Sequence, residues 1–481
     1  MDGTQNAVTE PGGETKRRKR IDNPAGSTNG LRDDVLRVLG VMKVATADQI
    51  QRAAAPHLTY RHTAKPTAAK RKEARTAAHR GALADLRASR HVLFGGHTRG
   101  GEGLRLLTPL GLDSAARPLG RPKNEMGGTA RGAGRTGAAH AMSVNETILA
   151  LLRPRPDLAL LAKEPPEAVA AARAAAALPG LGSLGSYFTE VQLPWTGTWS
   201  TPGKSGVQAD IVVAAPGVRV PLLFVEVDNC FEEAAVLAEK FDKYARFFAR
   251  RITDTNGQDM PMWRQKWSAP EARWGDPPHP PVLLVFNQIG PRNAKATMQQ
   301  VSARTRQHWQ GEPRKHHTAY DDCIPIVATT LDLLREHGPA GSAFWRFGRP
   351  DLQPLDDAVG NPRKDAADER RRAQDERQAA QYRAEQAAER EAQRPRCRSR
   401  GEKFSDQRWT ESEKRSWGEP TDSHPKLCGD CKAEAVEAER VRKAAKKEAA
   451  RQRREVEKAA QAAAEAEAAR KANRILGRFR R

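Results

Sequence analysis

Leu222-Leu-Phe-Val-Glu-Val-Asp228 is an apolar run that carries two carboxylates at its end. Such a run reads as a strand buried on both faces, and a buried carboxylate must be paired, hydrogen-bonded or bound to metal. The residues around it repeat the theme. Glu190 sits in Tyr187-Phe-Thr-Glu-Val191, and Asp210 opens Ile211-Val-Val213. Further strands are expected at 188–193, 209–215, 221–227, 282–286 and 324–328. A helix over 231–248 puts Phe231, Ala234, Ala238, Phe241, Ala245 and Phe248 on the side that would cover the sheet. A sheet with helices on its faces is an α/β core, expected over 184–350.

Asp210 and Glu226 stand at the start of one strand and near the end of the next, so a hairpin brings both to one end of the sheet. Asp228 lies two residues on and shares the face of Glu226. This pattern resembles the divided acidic signature of the PD-(D/E)xK nuclease superfamily. The resemblance implies two carboxylates, Asp210 and Glu226, on a divalent ion, with Glu190 as an added acid. Hard oxygen ligands suit Mg²⁺ or Mn²⁺. The signature lysine is replaced by Asp228, and Lys240 on the following helix, one turn before Tyr244, could supply that charge. The expected catalytic set is therefore Glu190, Asp210, Glu226, Asp228 and Lys240. Carboxylates paired with Arg and Lys for structure, or a nuclease-like fold that only binds DNA, are the alternatives.

Charge points to a polyanion. The chain has a net charge of +22 over 481 residues, and residues 61–140 hold 16 basic against 5 acidic side chains, a net +11. Concentrated positive charge releases counterions from nucleic acid. From Leu31 the order is helix, helix, basic helix and hairpin, with Thr46-Ala-Asp-Gln49 as a capping box. That order predicts a winged helix-turn-helix over 31–115. Its third helix, from about Thr67 to Ser89, carries Lys70, Arg71, Lys72, Arg75 and Arg80 around Ala78, Leu83 and Leu86, and Arg99 lies at the hairpin tip. These six basic residues are the expected contacts to double-stranded DNA. Residues 1–30 read as a disordered arm with a basic run at Lys16–Arg20, and 116–183 as a linker with a helix from His140 to Leu152.

The last third changes character. Residues 363–395 and 433–481 predict exposed charged helices held by i,i+4 pairs, with coiled-coil pairing as a further option. Between them, 396–432 resembles a zinc knuckle, with Cys428-x-x-Cys431 as one half. Arg400 stands where the other half needs a cysteine, so Cys397, His424, Cys428 and Cys431 are the expected ligands of a structural Zn²⁺. Trp409 and Trp417 would form its small core. The fold class is α+β and multidomain.

Several short motifs converge on one family: Thr46-Ala-Asp-Gln49, Leu107-Thr-Pro-Leu-Gly111, His140-Ala-Met-Ser-Val-Asn145, Phe188-Thr-Glu190, Ala209-Asp210, Phe224-Val-Glu-Val-Asp228, Lys240-Phe-Asp-Lys-Tyr244 and Pro280-Pro-Val-Leu-Leu-Val-Phe286. Together they resemble the replication-relaxation family of plasmids and integrative elements in high-GC Gram-positive bacteria, over roughly residues 31–310. The resemblance implies a DNA-acting protein of a mobile element, working in plasmid replication and DNA relaxation, with host replication or transfer proteins as further partners. A metal-dependent nickase and a non-enzymatic initiator or regulator both fit. A tyrosine relaxase does not: His316-His317 are adjacent and cannot share one face of a strand. No run reaches the ~18 apolar residues of a membrane helix. Five cysteines and no signal-peptide core predict a cytoplasmic, plasmid-associated protein.

Overall fold

A computed structural model describes residues 23–130, 138–203, 206–267 and 279–478. The basic run Lys16–Arg20 lies outside them. The chain divides into two units, Met1–Asp368 and Glu369–Arg481.

The first unit opens with helix α1 (Asn29–Met42), which Thr28 caps by accepting from the Leu31 N–H. The segment before it is pinned, because Asp85 accepts from the backbone N–H groups of Ala25 and Ser27. Order therefore begins before the expected boundary at Leu31. Strand β1 (Val44–Thr46) leads into helix α2 (Ala47–Ala54), where Thr46 and Gln49 close the expected capping box. Helix α3 (Ala68–Ala88) and the strands β2 (Val92–His97) and β3 (Gly103–Leu107) follow. The three strands form an antiparallel sheet in the order β1-β3-β2. On α3 the inward side is Thr76, His79, Ala82, Leu83, Asp85 and Leu86, while Ala78 faces solvent.

The main sheet has seven strands. An antiparallel meander of β4 (Tyr187–Pro194), β5 (Gly206–Ala214) and β6 (Leu222–Asp228) joins two parallel strands, Val282–Phe286 and Ile326–Thr330, and a short antiparallel edge at Phe344–Arg346 and Leu352–Gln353. The expected strands are all present, with ends shifted by up to three residues. β6 is buried along its whole length because both faces are covered. Val225 and Val227 point to a core shared with the helix Ala138–Leu152 and with α1. Leu222 and Phe224 point to the opposite core, where helix Ala234–Ala249 lays down Leu237, Phe241, Tyr244, Phe247 and Phe248.

The inward residues of that second helix differ from the expected set. The helix begins at Ala234, so Phe231 precedes it and is 60% exposed. The N-terminal helices and the sheet also share one continuous core instead of forming separate modules. Thr189 of β4 ties them further by donating to the Val41 carbonyl at 2.5 Å.

Helix Pro362–Ala392, which begins within the first unit's residues, and helix Gly429–Arg478 flank a compact stretch of the second unit. The first of these helices buries no side chain along its length, as its lack of an apolar seam predicts. Cys397, Phe404 and Trp409 of the stretch between them form a core with Cys431 of the second helix. Trp417 is fully exposed and takes no part in it, since it stands in a turn at φ 53° between two two-residue strands.

Candidate functional site

The last ladder pair at one end of β5 and β6 is Ile211↔Val225, so Asp210 and Glu226 come next, across from each other. Asp210 Oδ2 accepts the Val227 N–H at 2.8 Å and so replaces a ladder bond. Its other oxygen lies 3.0 Å from His140 Nε2, on the first turn of the helix Ala138–Leu152. Glu226 is 2% exposed. Tyr244 donates its hydroxyl to Oε1 at 2.6 Å, and Lys240 Nζ stands 3.4 Å from Oε2. Lys240 also reaches Glu232 at 3.1 Å.

The electrostatics follow from this crowding. Burial and the neighbouring Asp210 charge push the Glu226 carboxyl up to about 8, against the opposing pull of Lys240 and Tyr244. Burial alone would lower the Lys240 ammonium, yet the carboxylates of Glu226, Glu232 and Asp210 hold it above its ordinary value. The hydrogen bond to Asp210 raises His140.

Glu190 completes the wall. It lies in β4 between the pairs Thr189↔Ile211 and Val191↔Ala209, with φ 55°. A non-glycine residue held there costs on the order of 1–3 kcal/mol and is tolerated only where the surroundings impose it. His140, Glu190, Gln208, Asp210, Glu226 and Lys240 thus line one cavity of about 350 Å³. Four of the five expected catalytic residues meet there. Asp228 does not line it. Its carboxyl turns to the backbone N–H groups of Glu232 and Cys230, and burial raises its pKa. His140 was absent from the expected set, because its partner is 70 residues away and nothing local marks it. Its only signal was its place at the head of the His140–Asn145 motif.

Of the expected DNA contacts, Lys70, Arg71, Arg80 and Arg99 are exposed. Lys72 is paired with Glu102 of the hairpin, and Arg75 with Asp48 of α2 and, at 3.1 Å, Gln51. His316, His317 and Tyr320 lie around the two-residue strand Thr318–Ala319, outside the cavity.

Residues 36–259 match the family model described as replication-relaxation. Over that stretch the chain is similar to the replication-relaxation family. No curated protein and no solved structure matches the chain. The replication-relaxation stretch contains α2, α3, the hairpin and every residue named above as lining the cavity. It ends before the parallel strand Val282–Phe286, short of the span to about 310 that the sequence suggested. Among the described residues no helix is long and apolar enough to cross a membrane.

Beyond the replication-relaxation stretch, the second unit brings Cys397, Cys428 and Cys431 together, with all three sulfurs within 4.8 Å of one another. Three thiols so placed suit a zinc ion. Backbone N–H groups of Cys428 and Arg400 hold the Cys397 thiol down to about 6, while burial pushes Cys431 up to about 11. His424 is not part of the cluster. Its ring lies 3.0 Å from Ser423 Oγ and 3.5 Å from Glu439.

Proposed function

We propose that this chain is a DNA-acting protein of a plasmid or integrative element, working in plasmid replication and DNA relaxation, and that its acidic cavity cuts one DNA strand. The observation that carries the reading is the meeting of Asp210, Glu226 and Lys240 at one cavity within the replication-relaxation stretch. The family match over 36–259 supports the process, and the cavity supports the chemistry. The chain would act in the cytoplasm on plasmid DNA, with host replication or transfer proteins alongside.

The order helix–strand–helix–helix–hairpin, with β1 paired to β3, supports a winged helix-turn-helix at the N-terminal end. On that reading Lys70, Arg71 and Arg80 of α3 and Arg99 of the hairpin approach the phosphates. Lys72 and Arg75 serve the fold instead, because each is paired with a residue of another element, whereas Arg80 meets only Glu73 of its own helix.

On this reading a hard divalent ion, Mg²⁺ or Mn²⁺, would have to displace partners that Asp210 and Glu226 already hold. Among the described residues no three carboxylates gather as tightly as the cysteines do. Mg²⁺ characteristically takes one or two carboxylates and completes its shell with water and phosphate oxygens. Asp210 and Glu226 would hold it, and it would supply activation of water and neutralisation of phosphate charge. The protein's own groups do the rest. Lys240 stands beside Glu226, where it can take a phosphate oxygen, as the missing lysine at 228 would have done. His140 fixes the orientation of Asp210. Tyr244 fixes that of Glu226.

The test is incubation of the purified chain with supercoiled plasmid carrying its cognate element, in Mg²⁺, in Mn²⁺ and in EDTA, beside Asp210→Asn. Open circles that need metal and vanish in the variant are the expected result. Plasmid that is retarded but uncut, equally in both proteins, would leave a non-enzymatic initiator or regulator.

A further inference from the structure

We infer that the second unit binds one Zn²⁺ through three thiolates only, Cys397, Cys428 and Cys431, with the fourth position left to a solvent ligand. The inference is independent of the acidic cavity and stands on the placement of the cysteines.

Three sulfurs from two separate parts of the chain lie within 4.8 Å of one another, and no disulfide joins them. Cys397 and Cys431 are buried, at 2% and 6% exposure, while Cys428 is half-buried. Soft thiolates clustered at that spacing select zinc over the hard ions. The setting supports a structural role. Apart from the two buried cysteines, the core of this stretch is Phe404 and Trp409. So few apolar side chains do little to offset the entropy of ordering residues 393–428, with their one short helix and two-residue strands, and small modules of this kind rely on a staple. A zinc ion closing Cys397 onto the Cys428–Cys431 turn supplies one.

The fourth position follows from what does not come near. A four-thiolate site would need a cysteine at 400, and Arg400 is there, turned to Asp430 and Glu434 at 3.4 and 2.8 Å. His424, the sequence's own choice, is engaged with Ser423 and Glu439. Among the described residues no other His, Cys, Asp or Glu joins the three sulfurs. Three thiolates around Zn²⁺ leave one net negative charge, and the neighbouring Arg400 guanidinium offsets it. Structural zinc sites are normally closed by four protein ligands, and three with an open position is the arrangement that exchanges a ligand. The site should therefore hold its metal less tightly than a four-cysteine knuckle.

The experiment uses the full chain purified under reducing conditions. Elemental analysis should find zinc equimolar with protein. Cobalt exchanged for zinc should give thiolate-to-cobalt charge-transfer absorption. His424→Ala should leave that spectrum unchanged. Arg400→Cys should strengthen the charge-transfer band and slow removal of the metal by a chelator. Cys428→Ser should lose equimolar zinc, and circular dichroism separates that loss from unfolding of the helices. A chain that carries no zinc and takes none up on addition would overturn the site. A cobalt spectrum that changes in His424→Ala would overturn the solvent ligand, because the histidine would then be the fourth donor.

Discussion

Tyr244 donates its hydroxyl to Glu226 across 2.6 Å, from the turn of the helix that follows Lys240. One helix face thus supplies both a neutral and a charged donor to the same buried carboxylate. Tyr244 is itself fully buried, and its pKa is raised well above the ordinary value by burial and by the Glu226 charge. It stays a donor throughout the accessible pH range. Tyr244→Phe keeps the ring contacts with Phe224 and Phe248 and removes only the donor. The expected cost is about 1–3 kcal/mol, the penalty of leaving a buried acceptor unsatisfied. Denaturant unfolding of the variant beside the parent measures it.

Lys240 divides the enzyme reading from the binding one. If it contacts the phosphate being cut, Lys240→Ala lowers the rate of plasmid nicking on the order of 10²–10³-fold, the range for loss of one preorganised hydrogen-bond donor to the transition state. Retention of the same plasmid in a gel-shift assay should hardly change. A loss of retention as large as the loss of nicking would mean that Lys240 only binds DNA.

The exposed and the paired cations of α3 should behave differently. Lys70→Ala and Arg71→Ala should weaken DNA binding about equally on all sequences, and each should flatten the salt dependence by roughly one counterion unit. Arg75→Ala removes the contacts to Asp48 and Gln51, so it should lower thermal stability and leave the salt slope unchanged. Salt titrations of binding, read beside melting curves, separate the two classes.

Much of this was legible in the sequence, for identifiable reasons. Glu226 and Asp210 stood out because a charge inside a doubly buried strand is costly and therefore rare. Cys428-x-x-Cys431 stood out because its spacing is fixed by the turn it makes. Asp228 misled because strand periodicity gives the face of a side chain but not its reach. It shares the face of Glu226 yet bonds forward into the turn that starts at Asn229. Phe231 misled because the helix starts three residues later, at Ala234. His140 and Glu190 show the wider limit. The first meets the cavity through a contact 70 residues away, and the second lines it with a backbone angle, φ 55°, that glutamate rarely adopts.

His79 gives a pH dependence with a definite sign. It is 1% exposed on the inner side of α3, and neither ring nitrogen has a hydrogen-bond partner. Burial, with a small contribution from the His57 charge, pushes it down to about 4 from an ordinary 6.5. The folded form therefore refuses a proton that the unfolded chain accepts below pH 6.5. Stability from this group is complete above about pH 6.5 and is lost as pH falls toward 4. The full loss is on the order of 3 kcal/mol. His79→Leu removes the titration, so its melting temperature should fall less than the parent's between pH 7 and pH 4.5.

Arg408 and Asp422 form a buried ion pair in the second unit, at 4% and 8% exposure. Arg408 also donates to the carbonyls of Leu427 and His424 at 2.7 and 2.6 Å, and Asp422 accepts from the His424 N–H and from Lys432, each at 3.0 Å. The pair therefore fixes both ends of the loop that presents Cys428. Removing one partner strands the other charge, at a cost of about 3–5 kcal/mol for a buried pair. Asp422→Ala should loosen this loop and release the metal without touching a cysteine. Limited proteolysis should cut the variant between residues 415 and 428 faster than the parent, and elemental analysis should find its zinc reduced. The replication-relaxation stretch should keep its own melting transition, because every contact of the pair lies within the second unit.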